Sequence, residues 1–135
     1  MGLIIDTCIF IEVERNKNKQ SIHFEQWSEY GDAFISAVTV TELLIGVHSA
    51  DTKARQIRRS AFVEAIIGQI AILDFTAETA RIHAQIYTDL AKKGKLVGAH
   101  DLIIAATALA HGHALLTSNH KEFSRIPGLR VLTDA

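Results

Sequence analysis

Five short apolar runs, separated by segments with helical spacing, limit the folds that this chain of 135 residues can adopt. The runs do not alternate apolar with polar residues, as expected for strands that are covered on both faces of a parallel sheet. Strands that alternate with helices predict an α/β fold. We therefore expect one domain over residues 1–135 with a central, mainly parallel five-stranded sheet, its strands at 3–5, 33–36, 70–75, 114–117 and 129–133.

Helices are expected between these strands. Apolar spacing and boundary residues predict them over 39–49, 52–69, 77–93 and 101–110, and a short helix should follow the first strand. Three aromatic residues at helical spacing, Phe24, Trp27 and Tyr30, predict another helix over 22–30. We expect these aromatic side chains to lie in the core or on a partner-binding surface.

Composition excludes several classes of protein. A formal net charge of −1 argues against a strongly basic surface, so a nucleic acid would have to be held by local patches. With Cys8 as the one cysteine, neither an intramolecular disulfide nor a cysteine-based zinc site can form. No apolar run reaches the roughly 18 residues of a membrane span, and no signal peptide is recognisable. We expect a soluble cytoplasmic protein without a membrane segment.

Polar residues follow three of the predicted strands and open one apolar helix. Each has a purely structural explanation: helix N-caps at two aspartates, a capping box from Thr39 to a glutamate, a turn asparagine and a solvated glutamate. The fold class, however, sends all of them to the carboxyl edge of one sheet, where ligand sites of such sheets lie. These residues are Asp6, Glu42, Asp101, Asn119 and Glu122.

Three ionised carboxylates cannot converge without a cation. Two of them about 4 Å apart repel by roughly 4 kcal/mol at an effective dielectric constant of 20. An oxygen-only ligand set suits a hard ion such as Mg²⁺ or Mn²⁺. Such an ion lowers the pKa of a bound water and neutralises charge on a phosphate. The pattern therefore predicts metal-assisted hydrolysis of phosphodiester bonds.

Four segments, in order and spacing, also resemble a known family. LIIDTCIF, SAVTVTELLIGV, GAHDLIIAATALAHG and ALLTSNHKEF are similar to the motifs of the PIN-domain ribonucleases, especially the VapC-type toxins of bacterial toxin–antitoxin pairs. The resemblance implies a three-layer α/β/α fold and a Mg²⁺- or Mn²⁺-dependent endoribonuclease. It also implies a structured RNA substrate such as tRNA or rRNA, a cognate antitoxin that blocks the site, and a homodimer.

The resemblance assigns roles to individual residues. Asp6, Glu42 and Asp101 match the family's first three acids, and Asn119 stands at its fourth position, so the four-acid set is incomplete unless Glu122 completes it. Supporting hydroxyl groups are implied at Thr7, Ser36 and Thr117. A basic cluster on the helix over 52–69 is either a solvated face or a contact surface for RNA or antitoxin: Lys53, Arg55, Arg58 and Arg59.

Other functions remain open at this point. The domain could keep the fold and act only as a module that binds RNA or protein. A haloacid-dehalogenase-like phosphatase would need a second acid two residues after Asp6, where this chain has Cys8. Cys8 could itself be a nucleophile, although a free cysteine among apolar residues more often serves packing.

Overall fold

The computed structural model describes residues 2–15 and 29–133. Its strands are β1 (Leu3–Ile5), β2 (Ala33–Ser36), β3 (Ala71–Leu73), β4 (Ala114–Leu116) and β5 (Val131–Leu132). Its helices are α1 (Thr7–Arg15), α2 (Ala37–His48), α3 (Lys53–Gln69), α4 (Ala77–Lys92), α5 (Ala99–His111) and α6 (His120–Phe123). None of the helices within these residues is both long and apolar enough to cross a membrane.

The strands form one sheet in the order β3-β2-β1-β4-β5, and all of its pairings are parallel. The predicted five-stranded sheet is thereby confirmed. From β1 the chain builds the sheet outward in one direction through β2 and β3, and then adds β4 and β5 on the other side of β1. Ligands of such sheets bind at this reversal, beyond the carboxyl ends of the two central strands. Here those strands are β1 and β4.

Helices cover both faces of the sheet, which confirms the three-layer α/β/α architecture. Successive side chains of a strand point to opposite faces. Accordingly Leu3 and Ile5 pack in one core cluster with residues of α1, α2 and α3, whereas Ile4 packs in a second cluster with residues of α4 and α5. All three side chains are buried.

Strand and helix meet almost without a loop at the carboxyl edge. Asp6 alone separates β1 from α1, and α2 begins directly after β2. Ser36, the last residue of β2, caps α2, because its Oγ accepts a hydrogen bond of 3.2 Å from the Val38 amide. The predicted helix start and capping box at Thr39 are therefore wrong. Glu42 lies beyond the first turn of α2, and its carboxylate is free for other partners.

Two further helix boundaries differ from the prediction. Helix α5 begins at Ala99 and not at Asp101, so Asp101 lies within the first turn instead of capping it. The helix ends as predicted at Gly112, whose φ of 66° is the left-handed conformation that glycine adopts readily. Helix α6 was not predicted, since four residues are too few to show a helical period.

The helix predicted over 22–30 falls mostly outside the described residues. Phe24 and Trp27 belong to that part of the chain. Tyr30 is described: its hydroxyl accepts a hydrogen bond of 2.9 Å from Arg130 Nη2, and the Arg130 guanidinium lies over its ring. Tyr30 also packs against the first core cluster, in line with the expected place of its ring.

Candidate active site

Asp6 lies at the reversal of strand order, with 4% of its surface exposed. Its amide donates to the Leu116 carbonyl oxygen at 2.9 Å, which ties the end of β1 to the end of β4. Its Oδ2 atom accepts a hydrogen bond of 2.7 Å from Thr117 Oγ1 and one of 3.1 Å from Cys8 Sγ. The carboxylate is thus held by one side chain from α1 and by one that directly follows β4.

Cys8 forms part of this support. Besides donating to Asp6, its sulfur accepts a hydrogen bond of 3.1 Å from Ser118 Oγ. Burial, and to a smaller extent the Asp6 charge, raises the pKa of the Cys8 thiol, although hydrogen bonds from Ser118 act in the opposite direction. A protonated thiol can donate a weak hydrogen bond and is a poor nucleophile. The surroundings of Cys8 therefore favour a supporting role over nucleophilic chemistry.

Glu42 is held by a hydroxyl from α1. Thr7 Oγ1 donates a hydrogen bond of 2.7 Å to Glu42 Oε1 and also lies 3.0 Å from Thr39 Oγ1. The second carboxylate oxygen, Oε2, lies 3.6 Å from His100 Nδ1. Because Thr7 follows Asp6 directly, the first two acids are positioned from one strand–helix junction.

Asp101 has the most perturbed acidity of the site. Burial raises its pKa first of all, followed by the charge of Asp6, a hydrogen bond with Glu122, and the charges of Glu122 and Glu42. Together these effects raise the pKa of Asp101 to about 7. A carboxyl group shifted in this way is poorly solvated and lies in the field of other carboxylates.

Asn119 and Glu122 extend the cluster from the end of β4. The backbone N–H of Asn119 donates to Thr117 Oγ1 at 2.9 Å, so that Thr117 connects Asn119 with Asp6. The Asn119 side chain donates through Nδ2 to Glu122 Oε2 at 3.3 Å. Glu122 also forms the hydrogen bond with Asp101. Through this pairing Glu122 joins the other acids, and Asn119 orients it.

The sequence matches the PIN domain family over residues 3–129. The chain belongs to this family. Ribonuclease VapC1 of Rickettsia felis is 47% identical over 133 residues, which cover 98% of this chain and 96% of that protein. The tRNA(fMet)-specific endonuclease VapC of Shigella flexneri is 35% identical and matches 97% of this chain and 96% of its own length. In the crystal structure of VapBC2 from Rickettsia felis bound to a promoter DNA fragment, a chain with 26% identity superposes with a TM-score of 0.87 and full coverage of both chains.

An open cavity of about 390 Å³ leads to the acids of this PIN domain. It is lined by Glu42 and by the start of α5, namely Gly98, Ala99, His100 and Asp101. Gly98 lies directly beside Asp101, since a Cβ atom there would be in ordinary van der Waals contact with Asp101 Oδ2, at 3.5 Å. A ligand can therefore reach the acids from solvent past the first turn of α5.

The oxygen donors of the PIN domain fit a hard divalent cation in their chemistry, but they are not arranged as a finished metal site. Among residues 2–15 and 29–133, no three His, Cys, Asp or Glu side chains are placed to hold an ion together. Each carboxylate instead contacts a protein partner: Thr117 and Cys8 at Asp6, Thr7 at Glu42, Glu122 at Asp101. Carboxylate and amide oxygens are nonetheless the ligands that Mg²⁺ and Mn²⁺ prefer.

The remaining sequence-predicted residues lie on β2 and α3. Ser36 is buried and caps α2 rather than contacting an acid. On α3, Arg55 pairs with Asp51 at 2.9 Å. Arg59 pairs with Glu14 at 3.0 Å and donates to the Gly46 carbonyl oxygen. Arg59 also lines a cavity of about 190 Å³ whose wall includes Glu42. Lys53 and Arg58 are exposed.

Sequence reasoning missed Cys8 and Thr39 as supports of the acids. Cys8 was expected either to pack among apolar residues or to act as a nucleophile, and Thr39 was expected to cap a helix. A local signal for Cys8 exists, since it lies two residues after Asp6. Its contact with Ser118, however, joins residues 110 positions apart. Only the pairing of β1 with β4 brings these two residues together.

Proposed function

We propose that this PIN domain, over residues 1–135, is a VapC-type endoribonuclease toxin that hydrolyses RNA phosphodiester bonds with the help of a divalent cation. One observation carries the proposal: the acid that follows β1 and acids of α2, α5 and α6 meet at one sheet edge, where burial and the charges of the neighbouring acids raise the pKa of Asp101 to about 7. Uncompensated carboxylates in a cleft are typical of a functional site. They would be costly to retain for structure alone.

The relatives support the choice of substrate and partner. VapC1 of Rickettsia felis is named a ribonuclease, and the Shigella flexneri protein is named a tRNA(fMet)-specific endonuclease. The matching solved structure from Rickettsia felis is a VapBC2 complex. We extend this to the present chain: its substrate is structured RNA such as tRNA or rRNA, its activity inhibits translation, and a cognate antitoxin blocks the acids.

The acids divide into ligands and supports. Asp6, Glu42 and Asp101 would hold Mg²⁺ or Mn²⁺, with Asn119 completing the site directly or by orienting Glu122. A cation bound there supplies an activated water and neutralises charge at the phosphate. Thr117 and Cys8 fix the Asp6 carboxylate, Thr7 fixes that of Glu42, and the Ser36 cap fixes the start of α2.

Binding of the cation would be coupled to the protonation of Asp101. Burial and the charge of Asp6 raise the pKa of this carboxyl group, and its hydrogen bond with Glu122 requires a proton on one of the two side chains. A ligand carboxylate must be deprotonated to bind a metal. A cation held by Asp6, Glu42 and Asp101 would therefore favour the deprotonated form of Asp101, and Glu122 would keep its hydrogen bond from Asn119 Nδ2.

The proposal includes two surfaces. The basic residues of α3, Lys53, Arg55, Arg58 and Arg59, are candidate contacts for RNA or for the antitoxin, with Arg59 lying in the cavity beside Glu42. The chain further assembles as a homodimer, as the family resemblance implies. Light scattering of the purified protein tests the dimer directly.

Replacement of one buried carboxylate tests the proposed chemistry. Asp6→Asn should abolish RNA cleavage and growth arrest while circular dichroism shows a folded protein, because the shape is kept and the ligand charge is lost. Excess EDTA should inactivate the wild-type enzyme, and Mg²⁺ or Mn²⁺ should restore it. Asp32→Asn is the matched control, since Asp32 is an exposed aspartate before β2, at the other edge of the sheet.

Two outcomes would contradict the proposal. Full activity of Asp6→Asn, or of the wild-type protein in EDTA, would exclude the metal mechanism. RNA binding without cleavage under any divalent cation would instead identify the domain as a binding module. Mapping the ends of RNA cleaved after brief expression identifies the substrate.

A further inference from the structure

An acidic site that acts on RNA needs nearby positive charge. Asp6, Glu42, Asp101 and Glu122 repel phosphates, and a divalent cation offsets only part of their charge. The whole chain has a formal charge of −1, so no general positive field attracts a polyanion. RNA affinity comes mainly from Lys and Arg at the phosphates. The cations that hold RNA must therefore form a local patch beside the cavity.

One exposed segment has this charge. Between α4 and α5 the chain reads KKGKLV, residues 92–97, which we call the lysine loop. Lys92, Lys93 and Lys95 are all exposed. Within residues 2–15 and 29–133, no salt bridge joins any of these lysines to an acid. Three positive charges within four positions are thus available to a partner.

The backbone of the lysine loop is well anchored. Helix α4 ends in a Schellman motif: the Lys95 amide donates to the Leu90 carbonyl oxygen at 2.9 Å, and the Gly94 amide donates to that of Ala91 at 3.1 Å. Gly94 has the positive φ, 65°, that this motif requires. Arg125 Nη1 donates to the Leu96 carbonyl oxygen at 3.3 Å. An anchored backbone loses little entropy when its lysines bind.

The loop leads directly into the cavity wall. Gly98, the wall residue that directly precedes α5, comes three residues after Lys95, a span of at most about 11 Å of chain. Val97 is buried between them and fixes the connection. Arg125 joins the loop to the segment after α6, three residues beyond Glu122. The lysine loop therefore leads to the side of the cavity that Asp101 lines.

The basic cluster on α3 is less free to act in this way. Arg55 is paired with Asp51, and Arg59 with Glu14, so two of its four charges already have acidic partners. An arginine that gives up an ion pair to bind a phosphate gains less than a lysine without one. The contrast favours the lysine loop as the stronger phosphate contact.

We propose that the lysine loop holds the phosphate backbone of the RNA substrate beside the scissile bond. The inference rests on the proposed function, and it deepens that proposal by naming where the substrate strand is held. The lysines act as point charges on the backbone, without reading its bases. Their contribution is to substrate binding, and the reacting atoms lie beyond their reach.

Removal of the three positive charges of the lysine loop tests the proposal. In the triple variant Lys92→Ala/Lys93→Ala/Lys95→Ala, we expect KM for RNA to rise about tenfold, with kcat unchanged. In the Asp6→Asn background, which removes cleavage, the slope of log affinity against log salt should fall by about 2, since each phosphate contact on a single strand contributes about 0.7. Cleavage of an oligonucleotide too short to reach the loop should be unaffected.

A matched control comes from α4, the helix that ends at Lys92. Arg81 is exposed on α4 and lies 11 residues before Lys92, about 17 Å along the helix. Arg81→Ala removes one positive charge, as each of the three lysine substitutions does by itself. It should change neither KM for RNA nor the slope of log affinity against log salt. An equal effect of Arg81→Ala and the lysine variants would show that only net charge matters, and would overturn the proposal.

Two other results would also overturn it. One is a triple variant with wild-type KM and salt slope. The other is a triple variant that cleaves RNA normally but escapes inhibition by the antitoxin, which would assign the loop to the protein partner. Failure of the proposed function would give a different result, because the wild-type protein would then cleave no RNA with any cation. The salt dependence of RNA binding would still decide whether the lysine loop contacts RNA.

Discussion

The carboxyl and amino edges of the sheet differ in how their polar groups interact. At the carboxyl edge, burial and the nearby charges of Asp6 and Glu122 raise the pKa of Asp101. At the amino edge, the Gly2 amide donates to His113 Nδ1 at 2.8 Å, and the His113 ring stacks on Phe34 with centroids 4.9 Å apart. The first edge accumulates electrostatic repulsion, whereas the second is closely packed and its polar groups are paired.

The difference between the two edges indicates which substitutions should affect activity and which should affect stability. Under the proposed function, repulsion between the acids is useful only when a cation binds, so the carboxyl edge would lower the stability of the cation-free protein. The amino edge has no such role and contributes packing. Substitutions at the two edges should therefore change activity and stability independently.

The largest effect is expected at Asp101. Asp101→Asn should lower RNA cleavage by about 10³-fold, the equivalent of roughly 4 kcal/mol of lost stabilisation by the cation. The same change should raise the melting temperature of the EDTA-treated protein, because one repelling carboxyl group is gone. Cleavage assays and thermal unfolding on the same samples check both signs. A fall in melting temperature would mean that Asp101 stabilises the metal-free fold.

The next effect is expected at the amino edge. A Cβ atom on Gly2 would lie 2.7 Å from Phe34 Cε2 and 3.0 Å from the Asp32 carbonyl oxygen. Gly2→Ala should therefore cost about 1–3 kcal/mol of folding free energy, while cleavage per folded molecule stays unchanged at low temperature. Gly68→Ala is the control, since nothing lies within 4 Å of that position in α3. Equal unfolding curves for the two variants would contradict the close packing.

A smaller effect is expected at Cys8. Cys8→Ala removes one of the two donors to Asp6 Oδ2 and should weaken the apparent affinity for Mn²⁺ about tenfold, as loss of a support for a metal ligand typically does. Cys8→Ser keeps a donor and should recover most of the affinity. Titration of activity with Mn²⁺ measures this. If the alanine and serine variants behave alike, the thiol only fills space.

The smallest effects are opposite pH dependences at the two edges. In EDTA-treated protein the folded-state pKa of Asp101, about 7, exceeds its ordinary 3.8, so its contribution to stability is lost as pH rises from about 4 to 7. Burial, aided by His111, lowers the pKa of His113 below its ordinary 6.5. Its contribution is therefore present above pH 6.5 and lost as pH falls.

Single variants separate these two slopes. Asp101→Asn should remove the loss of stability between pH 4 and 7, and His113→Gln should remove the loss below pH 6.5 while keeping an acceptor for the Gly2 amide. Melting temperatures from pH 5 to 8 measure both effects. Unchanged slopes in the variants would show that other groups control the pH dependence.

Much of the fold followed from local patterns. The strand bounds 3–5 and 33–36 agree with β1 and β2, and the helix predicted over 77–93 agrees with α4 to within one residue. These elements have clear apolar periods and turn residues. The start of α2 was misplaced because two hydroxyl residues competed as the cap. Ser36 prevails, since β2 continues into the helix without a loop.

The site was predictable as a set of positions but not as a network. Strand ends in a parallel sheet meet at one edge, which is why Asp6 and Asn119 could be grouped from sequence. The hydrogen bond from Thr7 to Glu42 and the contact of Glu122 with Asp101 depend on tertiary packing. The sequence likewise gives no local signal that a basic residue is already paired. Arg59, for example, pairs with Glu14, which is 45 positions away.

The hydrogen bond between Thr117 and Asp6 spans 111 positions of the chain, and it has a consequence during synthesis. A ribosome that has translated β1, β2 and β3 has made two of the three principal acids, yet neither Asp101 nor the strand that holds Asp6 exists. The site can be assembled only after β4 has emerged and joined β1. A truncated product ending before α5 is thus harmless on this account, and toxicity begins only when the last third of the chain is in place.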